Sequence, residues 1–268
     1  MSRLLNVEHL KIGLKKTGEE LVHDISFSVG EGESLVILGQ SGSGKTMTCR
    51  ALMGLLDRKR FFVEGSLSFD GRQLLNLGQK DRGKIYGGAI AMIPQNPMSS
   101  LDPSMRIGRQ MEETLALHSG LRGRALDERI DGALAEAGLS DTALLRRSYP
   151  HMLSGGMLQR VTIAMALMVD ARCIVADEPT TALDVTHRDG TIDAFIRFRE
   201  RGAGVVLVTH DFEVAARMGG QILVMKTGRM VETGKTEELL KCPRAEYTRA
   251  LLAASRLSGA AKGRKIQC

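Results

Sequence analysis

Residues 39–46 read Gly39-Gln40-Ser41-Gly42-Ser43-Gly44-Lys45-Thr46 and fill the pattern G-x-x-x-x-G-K-[ST] without a gap. The apolar run Leu35-Val36-Ile37-Leu38 before them has the character of a buried strand, and Met47 to Leu56 after them has helix-compatible spacing. Strand, glycine-rich turn and helix in that order aim successive backbone N–H groups inward at the positive end of a helix. The stretch Gly39 to Met47 is therefore expected to cradle phosphates. Lys45 is expected to reach the β- and γ-phosphate oxygens, and the Thr46 hydroxyl to ligate Mg²⁺. A plain glycine-rich turn is the competing reading, and it is outweighed by a full pattern in its required strand-turn-helix setting.

At 268 residues the chain is long enough for one large domain, or a domain carrying a sub-domain. No apolar run approaches bilayer length, and Met1 to Glu8 lacks the apolar stretch of a secretion signal, so a cytoplasmic chain is expected. Cys49, Cys173, Cys242 and Cys268 are scattered and form no C-x-x-C pair, which argues against a zinc site or a disulfide framework. The net charge of +6 suits nucleic acid, an anionic ligand or an anionic membrane surface alike. With seven Phe, three Tyr and no Trp, platforms for single-stranded nucleic acid are not expected.

Leu4 to Ile12 and Leu21 to Val29 alternate as strands of an antiparallel sheet do, and Gly65 to Gly71 reads as another such strand. Ala89 to Ile93 is a short apolar run stopped by Pro94-Gln95-Asn96-Pro97, so Gln95 stands at a strand end. Residues 103–150 carry helical patterns, at Ile107 to His118 and Leu126 to Ala137, and predict an inserted helical sub-domain. Leu153-Ser154-Gly155-Gly156 opens a further helix and offers a second place for an anion. Cys173 to Ala176 delivers Asp177 and Glu178 to a strand end, where Asp177 suits Mg²⁺ and Glu178 suits the polarising of an attacking water. His210 follows the apolar strand Val205 to Thr209, and Thr236 is expected to cap a late helix.

The order of phosphate loop, Gln95, LSGG, Ala176-Asp177-Glu178 and His210 resembles an ATP-binding cassette (ABC) ATPase over residues 4 to 255. The resemblance implies an α/β P-loop NTPase fold with a mixed central sheet, an antiparallel β sub-domain and an inserted α-helical sub-domain at about 103–165. It sets a cassette over residues 1–256 and leaves 257–268 as a basic tail expected to be disordered. It also implies a head-to-tail dimer in which Ser154, Gly155, Gly156 and Asp184 contact the partner's ATP. Glu178, His210 and Gln95 take the catalytic roles, and Thr46, Gln95 and Asp177 hold Mg²⁺. The stretches Gln95 to Pro103, Tyr149 to Met157 and Ala176 to Thr186 resemble the peptide/nickel importer subgroup, most closely its nickel-import members. Such ATPases pair with a second, different ATPase, two membrane permeases and an extracytoplasmic substrate-binding protein, on the cytoplasmic face of the bacterial inner membrane.

Two departures stand out. Residues 1–26 hold no Phe, Tyr or Trp on which adenine can stack, leaving Leu14 or Val22 as a greasier platform. The chain also stops soon after Leu252, which favours the shorter nickel-type members over peptide importers with a cysteine-bearing extension. A dipeptide or oligopeptide importer is the near alternative. A non-transport ABC ATPase acting on DNA or ribosomes is the distant one, and the coiled-coil insertions or zinc modules of that class do not occur between Lys45 and Ser154. A P-loop kinase leaves Ser154-Gly155-Gly156 unexplained.

Overall fold

The period-two alternation at the N-terminus folds as an antiparallel pair, β1 (Arg3–Leu14) and β2 (Glu20–Gly30). The computed structural model describes residues 3–180 and 185–261. Its first unit is Met1–Asn76 with Gly204–Cys268, and its second is Leu77–Ala203.

In the first unit, β3 (Ser34–Leu38) is buried along its whole length and leads through the glycine loop into α1 (Lys45–Leu52). The helix stops short of the expected Leu56, because Gly54 turns into the left-handed region at φ 62°. β4 (Phe61–Phe69) pairs with the far side of β1, and β5 (Arg72–Gln73) completes a sheet of order β2-β1-β4-β5. β4 begins earlier than the predicted Gly65, since Val63, Phe62 and Phe61 take Ile12, Gly13 and Leu14 as cross-strand partners.

The second unit starts with α2 (Gln79–Ile85), which the sequence pattern did not signal, and β6 (Ile90–Ile93). Four helices follow: α3 (Ile107–Ser119), α4 (Gly123–Glu136), α5 (Thr142–Arg147) and α6 (Gly155–Met168). The chain then forms β7 (Cys173–Asp177), which pairs parallel with β6, and α7 (Val185–Glu200). Arginines bind these helices together. Arg129 on α4 donates to the carbonyls of Met168 (2.9 Å) and Leu167 (2.7 Å), closing the C-terminal end of α6 where carbonyls lack intrahelical partners. Arg146 on α5 meets Glu112 of α3 at 2.9 Å, Asp131 of α4 at 3.5 Å, and Asp127 of α4. Burial alone would push its pKa down, yet Asp127 and Glu112 outweigh that and raise it. α5 is too short to hold its own shape, so this cation fixes its place.

Returning to the first unit, β8 (Gly204–Thr209), α8 (Phe212–Met218), β9 (Gln221–Lys226) and β10 (Arg229–Lys235) follow. β3 lies between β8 and β9 with both neighbours parallel, and β10 adds antiparallel to β9. Continuous burial along β3 and β8 explains why both read as unbroken apolar runs.

α9 (Thr236–Lys241) and α10 (Glu246–Ala261) finish the chain. Thr236 is not the cap of α9: Lys235 occupies that position, and the Thr236 hydroxyl donates to the Gly220 carbonyl at 3.1 Å. α10 runs past the boundary expected at residue 256, and residues 262–268 lie outside the described residues. The Glu232 carboxylate accepts from the backbone N–H groups of Arg244 (2.8 Å) and Ala245 (3.1 Å), fastening the start of α10 to β10. Partial burial pushes the Glu232 pKa up, but Thr248, these two amides and the Arg244 charge together hold it lowered.

Two substitutions separate hub from ornament. Arg146→Ala strands three carboxylates beside a side chain that is only 19% exposed and is expected to cost about 2 kcal/mol. Arg124→Ala breaks the Glu128 pair on a 91% exposed side chain and is expected to cost less than about 0.5 kcal/mol. Urea unfolding midpoints of the two variants check both.

Candidate functional site

The phosphate-loop residues fall between the buried end of β3 and the first turn of α1, as the sequence predicts. Gly44 has φ +99° and Gly42 φ +79°, backbone shapes that side chains with a Cβ rarely adopt. Gly39 is required for a different reason. A Cβ there would run into the Met225 carbonyl of β9 and stand 2.6 Å from Ser43 Oγ. Lys45 is only 4% exposed, and its Nζ donates to the carbonyls of Gly39 (2.8 Å) and Gln40 (2.9 Å). The ammonium is thus held over the loop's own backbone. Ser43 Oγ is buried without a hydrogen-bond partner, a polar group in the loop with bonding capacity to spare. Gly228 N–H donates to the Ser43 carbonyl at 3.0 Å, tying the loop to the β9–β10 turn. Thr46 and Met47 are half-buried in the first turn of α1, while Gln40, Ser41 and Gly42 are exposed.

His210 belongs to the same unit. Leu38 of β3 pairs in register with Thr209 of β8, so Gly39 and His210 leave the sheet at the same C-terminal edge. His210 is exposed, and the Asp211 carboxylate after it accepts from Glu213 N–H at 2.8 Å to cap α8. Tyr247 of α10 was not signalled by the sequence, yet Gln40 N–H points at its hydroxyl over a long 3.5 Å, with Lys226 Nζ 4.8 Å from the ring centroid. Only a contact between chain segments this far apart reveals it.

The second unit gathers the other residues. Ile93 of β6 pairs with Ala176 of β7, so Gln95 and the Asp177-Glu178 pair emerge at one end of this parallel pair. Asp177 is 5% exposed, Glu178 is half-buried and Gln95 is exposed. Glu178 has φ +45°, an uncommon conformation for a residue with a side chain and one that collects at functional sites. Ser154 caps α6, its Oγ accepting from Met157 N–H at 3.3 Å, and Gly155 and Gly156 form the first turn. Asp184 lies outside the described residues. The same unit carries a cavity of about 450 Å³ lined by Arg106, Arg109, Glu112, Asp131, Arg146 and Arg147, among others. Cys173 at the start of β7 is fully buried, and burial pushes its thiol up to about 12. Among the described residues no helix is long and apolar enough to cross a membrane, and no cluster of His, Cys, Asp and Glu is arranged to hold a metal.

Residues 22–181 match the family model described as ABC transporter. The chain is 38% identical over 250 residues to the metal-staphylopine import system ATP-binding protein CntD of Staphylococcus aureus (strain Mu50), covering 93% of this chain and 92% of that protein. It is 39% identical over 254 residues to the dipeptide transport ATP-binding protein DppD of Escherichia coli (strain K12), covering 94% and 78%. Among solved structures, the dimeric ATP-binding cassette MJ0796 in a post-hydrolysis state with ADP and Pi superposes with a TM-score of 0.75 at 28% identity, covering 87% of this chain and 98% of that one.

Two measurements follow from the burial described. Gly39→Ala is expected to weaken triphosphate binding at least about 10-fold, because the backbone next to Met225 has to move, and equilibrium titration reads the change. Iodoacetamide at pH 8 is expected to label Cys242, which is exposed, and to spare the buried Cys49 and Cys173 until the chain unfolds. Peptide mass mapping distinguishes the sites.

Proposed function

Since this chain belongs to the ABC transporter family, as an ATP hydrolase coupled to solute transport, we propose that it drives a bacterial importer for nickel or a related metal or metal chelate. The observation that carries the ATP site is the loop around Lys45, a buried ammonium held among inward-turned backbone groups at a helix start. In this reading Gly39 to Met47 grip the triphosphate, and Lys45 leaves the Gly39 and Gln40 carbonyls for the β- and γ-phosphate oxygens. Thr46, Asp177 and Gln95 are read as the Mg²⁺ residues on the chemistry of their side chains, a hydroxyl, a carboxylate and an amide oxygen, each a donor of the kind a hard cation takes. A bound Mg²⁺ would neutralise charge on the phosphates.

Glu178 is assigned the attacking water. Its uncommon backbone, at φ +45°, supports a functional assignment, and Asp177 is left to serve the metal because a metal-bound carboxylate is a poor base. His210, at the sheet edge beside the phosphate loop, supports the γ-phosphate. Ser154, Gly155 and Gly156 present the exposed start of α6 to the ATP of a second ATPase subunit, and Asp184 joins the same seam. Two permeases and an extracytoplasmic binding protein complete the assembly, with this chain on the cytoplasmic face of the inner membrane. The permeases are read as docking near Gln95 to Asp102.

The metal reading draws support from the likeness to CntD, whose name specifies metal-staphylopine import, and from the subgroup motifs. A dipeptide or oligopeptide is the second reading, favoured by DppD and by the oligopeptide ATP-binding proteins called OppD. The subunit itself does not touch the solute, so its own residues do not choose. ATP turnover of the whole complex in proteoliposomes decides: stimulation by a metal chelate with its binding protein supports the first reading, and stimulation by dipeptide alone replaces it. For the chemistry, Glu178→Gln is expected to keep ATP affinity while turnover falls by about 100-fold or more. Near-normal phosphate release from that variant would remove Glu178 from its role.

A further inference from the structure

We propose that the Tyr247 hydroxyl of α10 is a positioning group for triphosphate binding: it fixes the peptide unit between Gly39 and Gln40 and so steers the passage of Lys45 from the loop to the phosphates. The inference rests on the reading of Gly39 to Met47 as the triphosphate grip. It is carried by the two ends of one peptide. At the carbonyl end, Gly39 O accepts from Lys45 Nζ at 2.8 Å. At the amide end, Gln40 N–H points at the Tyr247 hydroxyl oxygen over 3.5 Å. A peptide unit is planar, with its N–H and C=O on opposite sides, so a partner on one end limits the rotation of the other. Lys45 and Tyr247 therefore hold the same plane from its two edges.

Tyr247 is itself set in a firm frame. Glu232 of β10 accepts from the N–H groups of Arg244 and Ala245, and Arg249 Nη1 donates to the Arg244 carbonyl at 2.7 Å, so the start of α10 is fastened on both sides of Tyr247. Thr248, the next residue, is completely buried. The half-buried Tyr247 ring lies 4.8 Å from Lys226 Nζ, a cation against an aromatic face. Lys226 ends β9, the strand whose Met225 carbonyl abuts Gly39. The strand that walls the loop thus also seats the ring whose hydroxyl reaches it.

The hold matters at the moment of exchange. When Lys45 moves to phosphate oxygens, the Gly39 carbonyl loses its cation, and an untethered peptide is then free to swing that oxygen towards the incoming phosphates. Oxygen facing anionic oxygen opposes binding. Tyr247 acts on the N–H end, which an ammonium, itself a donor, cannot bind, so its grip outlasts the departure of Lys45. A separation of 3.5 Å is long for a hydrogen bond, and contacts of this kind tighten once a ligand is in place. The hydroxyl is the group required, because packing against Lys226 needs only the ring.

Calorimetric titration of the full-length chain with ATP and with inorganic tripolyphosphate tests the tether. Tyr247→Phe keeps the ring and removes the hydroxyl, and is expected to weaken both ligands equally, by about 3-fold or more, at an unchanged melting temperature. Gln40→Pro deletes the N–H from the other side, and in that background Tyr247→Phe is expected to cost nothing further. The NMR resonance of the Lys45 ammonium in the unliganded chain should also shift in Tyr247→Phe, since the carbonyl it binds has lost its tether. Wild-type affinity in Tyr247→Phe, an equal loss in the wild-type and Gln40→Pro backgrounds, or an unmoved Lys45 resonance overturns the proposal. Should Gln40→Pro bind too weakly to titrate, the Lys45 resonance decides. A wild-type chain that binds neither ATP nor tripolyphosphate overturns the grip reading instead.

Discussion

Everything in the first unit depends on how closely two backbones approach each other at the end of β3. Gly39 lies against the Met225 carbonyl of β9 with no room for a methyl group, and Gly228 N–H binds the Ser43 carbonyl from the adjoining turn. The loop is consequently clamped at both shoulders by β9 and its turn, so its N–H groups are set before any ligand arrives. Preorganisation of this kind suits phosphoryl transfer, where the protein contributes position and electrostatic stabilisation more than covalent chemistry. Lys45 illustrates the economy of the arrangement. Its ammonium is desolvated yet satisfied by two carbonyls of the loop itself, which avoids a buried unpaired charge.

The second unit solves a different problem. Around the apolar core of its helices, cations tie neighbouring elements together: Arg129 closes α6 from α4, Arg146 binds α5 to α3 and α4, and Arg160 of α6 donates to the Gly138 carbonyl at 2.9 Å beyond the end of α4. α6 is held at its C-terminal end and near its middle as a result, and the Ser154 cap orders its first turn, Ser154-Gly155-Gly156. Rigidity there matters for any role in which a helix start meets a ligand from outside, because a frayed first turn loses its aligned N–H groups.

Much of this was legible in the sequence, for local reasons. A phosphate loop is a contiguous pattern between a strand and a helix, and Asp177-Glu178 is a contiguous pair after an apolar run, so neighbours in sequence carry the signal. What escaped was decided at long range. Phe61, Phe62 and Val63 are apolar residues after a helix and take strand form because β1 extends to Leu14 and offers them partners. Thr236 followed by two acids has the look of a cap, but the Gly220 carbonyl claims its hydroxyl. The Tyr247 contact with Gln40 joins residues separated by 207 positions, a distance over which no periodicity speaks. The φ of Glu178 was equally hidden, since nothing in its side chain asks for a left-handed backbone.

The placement of β3 between β8 and β9 also governs when the molecule is complete during its synthesis. Both parallel neighbours of β3 belong to the part of the chain after Gly204, whereas Leu77–Ala203 is one unbroken stretch. A ribosome therefore releases the whole helical unit before it has made the strands that flank β3, and the nascent first unit must wait with unpaired edges. Met225 and Gly228, which clamp the loop, emerge later still. The phosphate loop thus gains its clamp only after Gly228 has been made, and products truncated before it carry the eight-residue signature without the contacts that hold it.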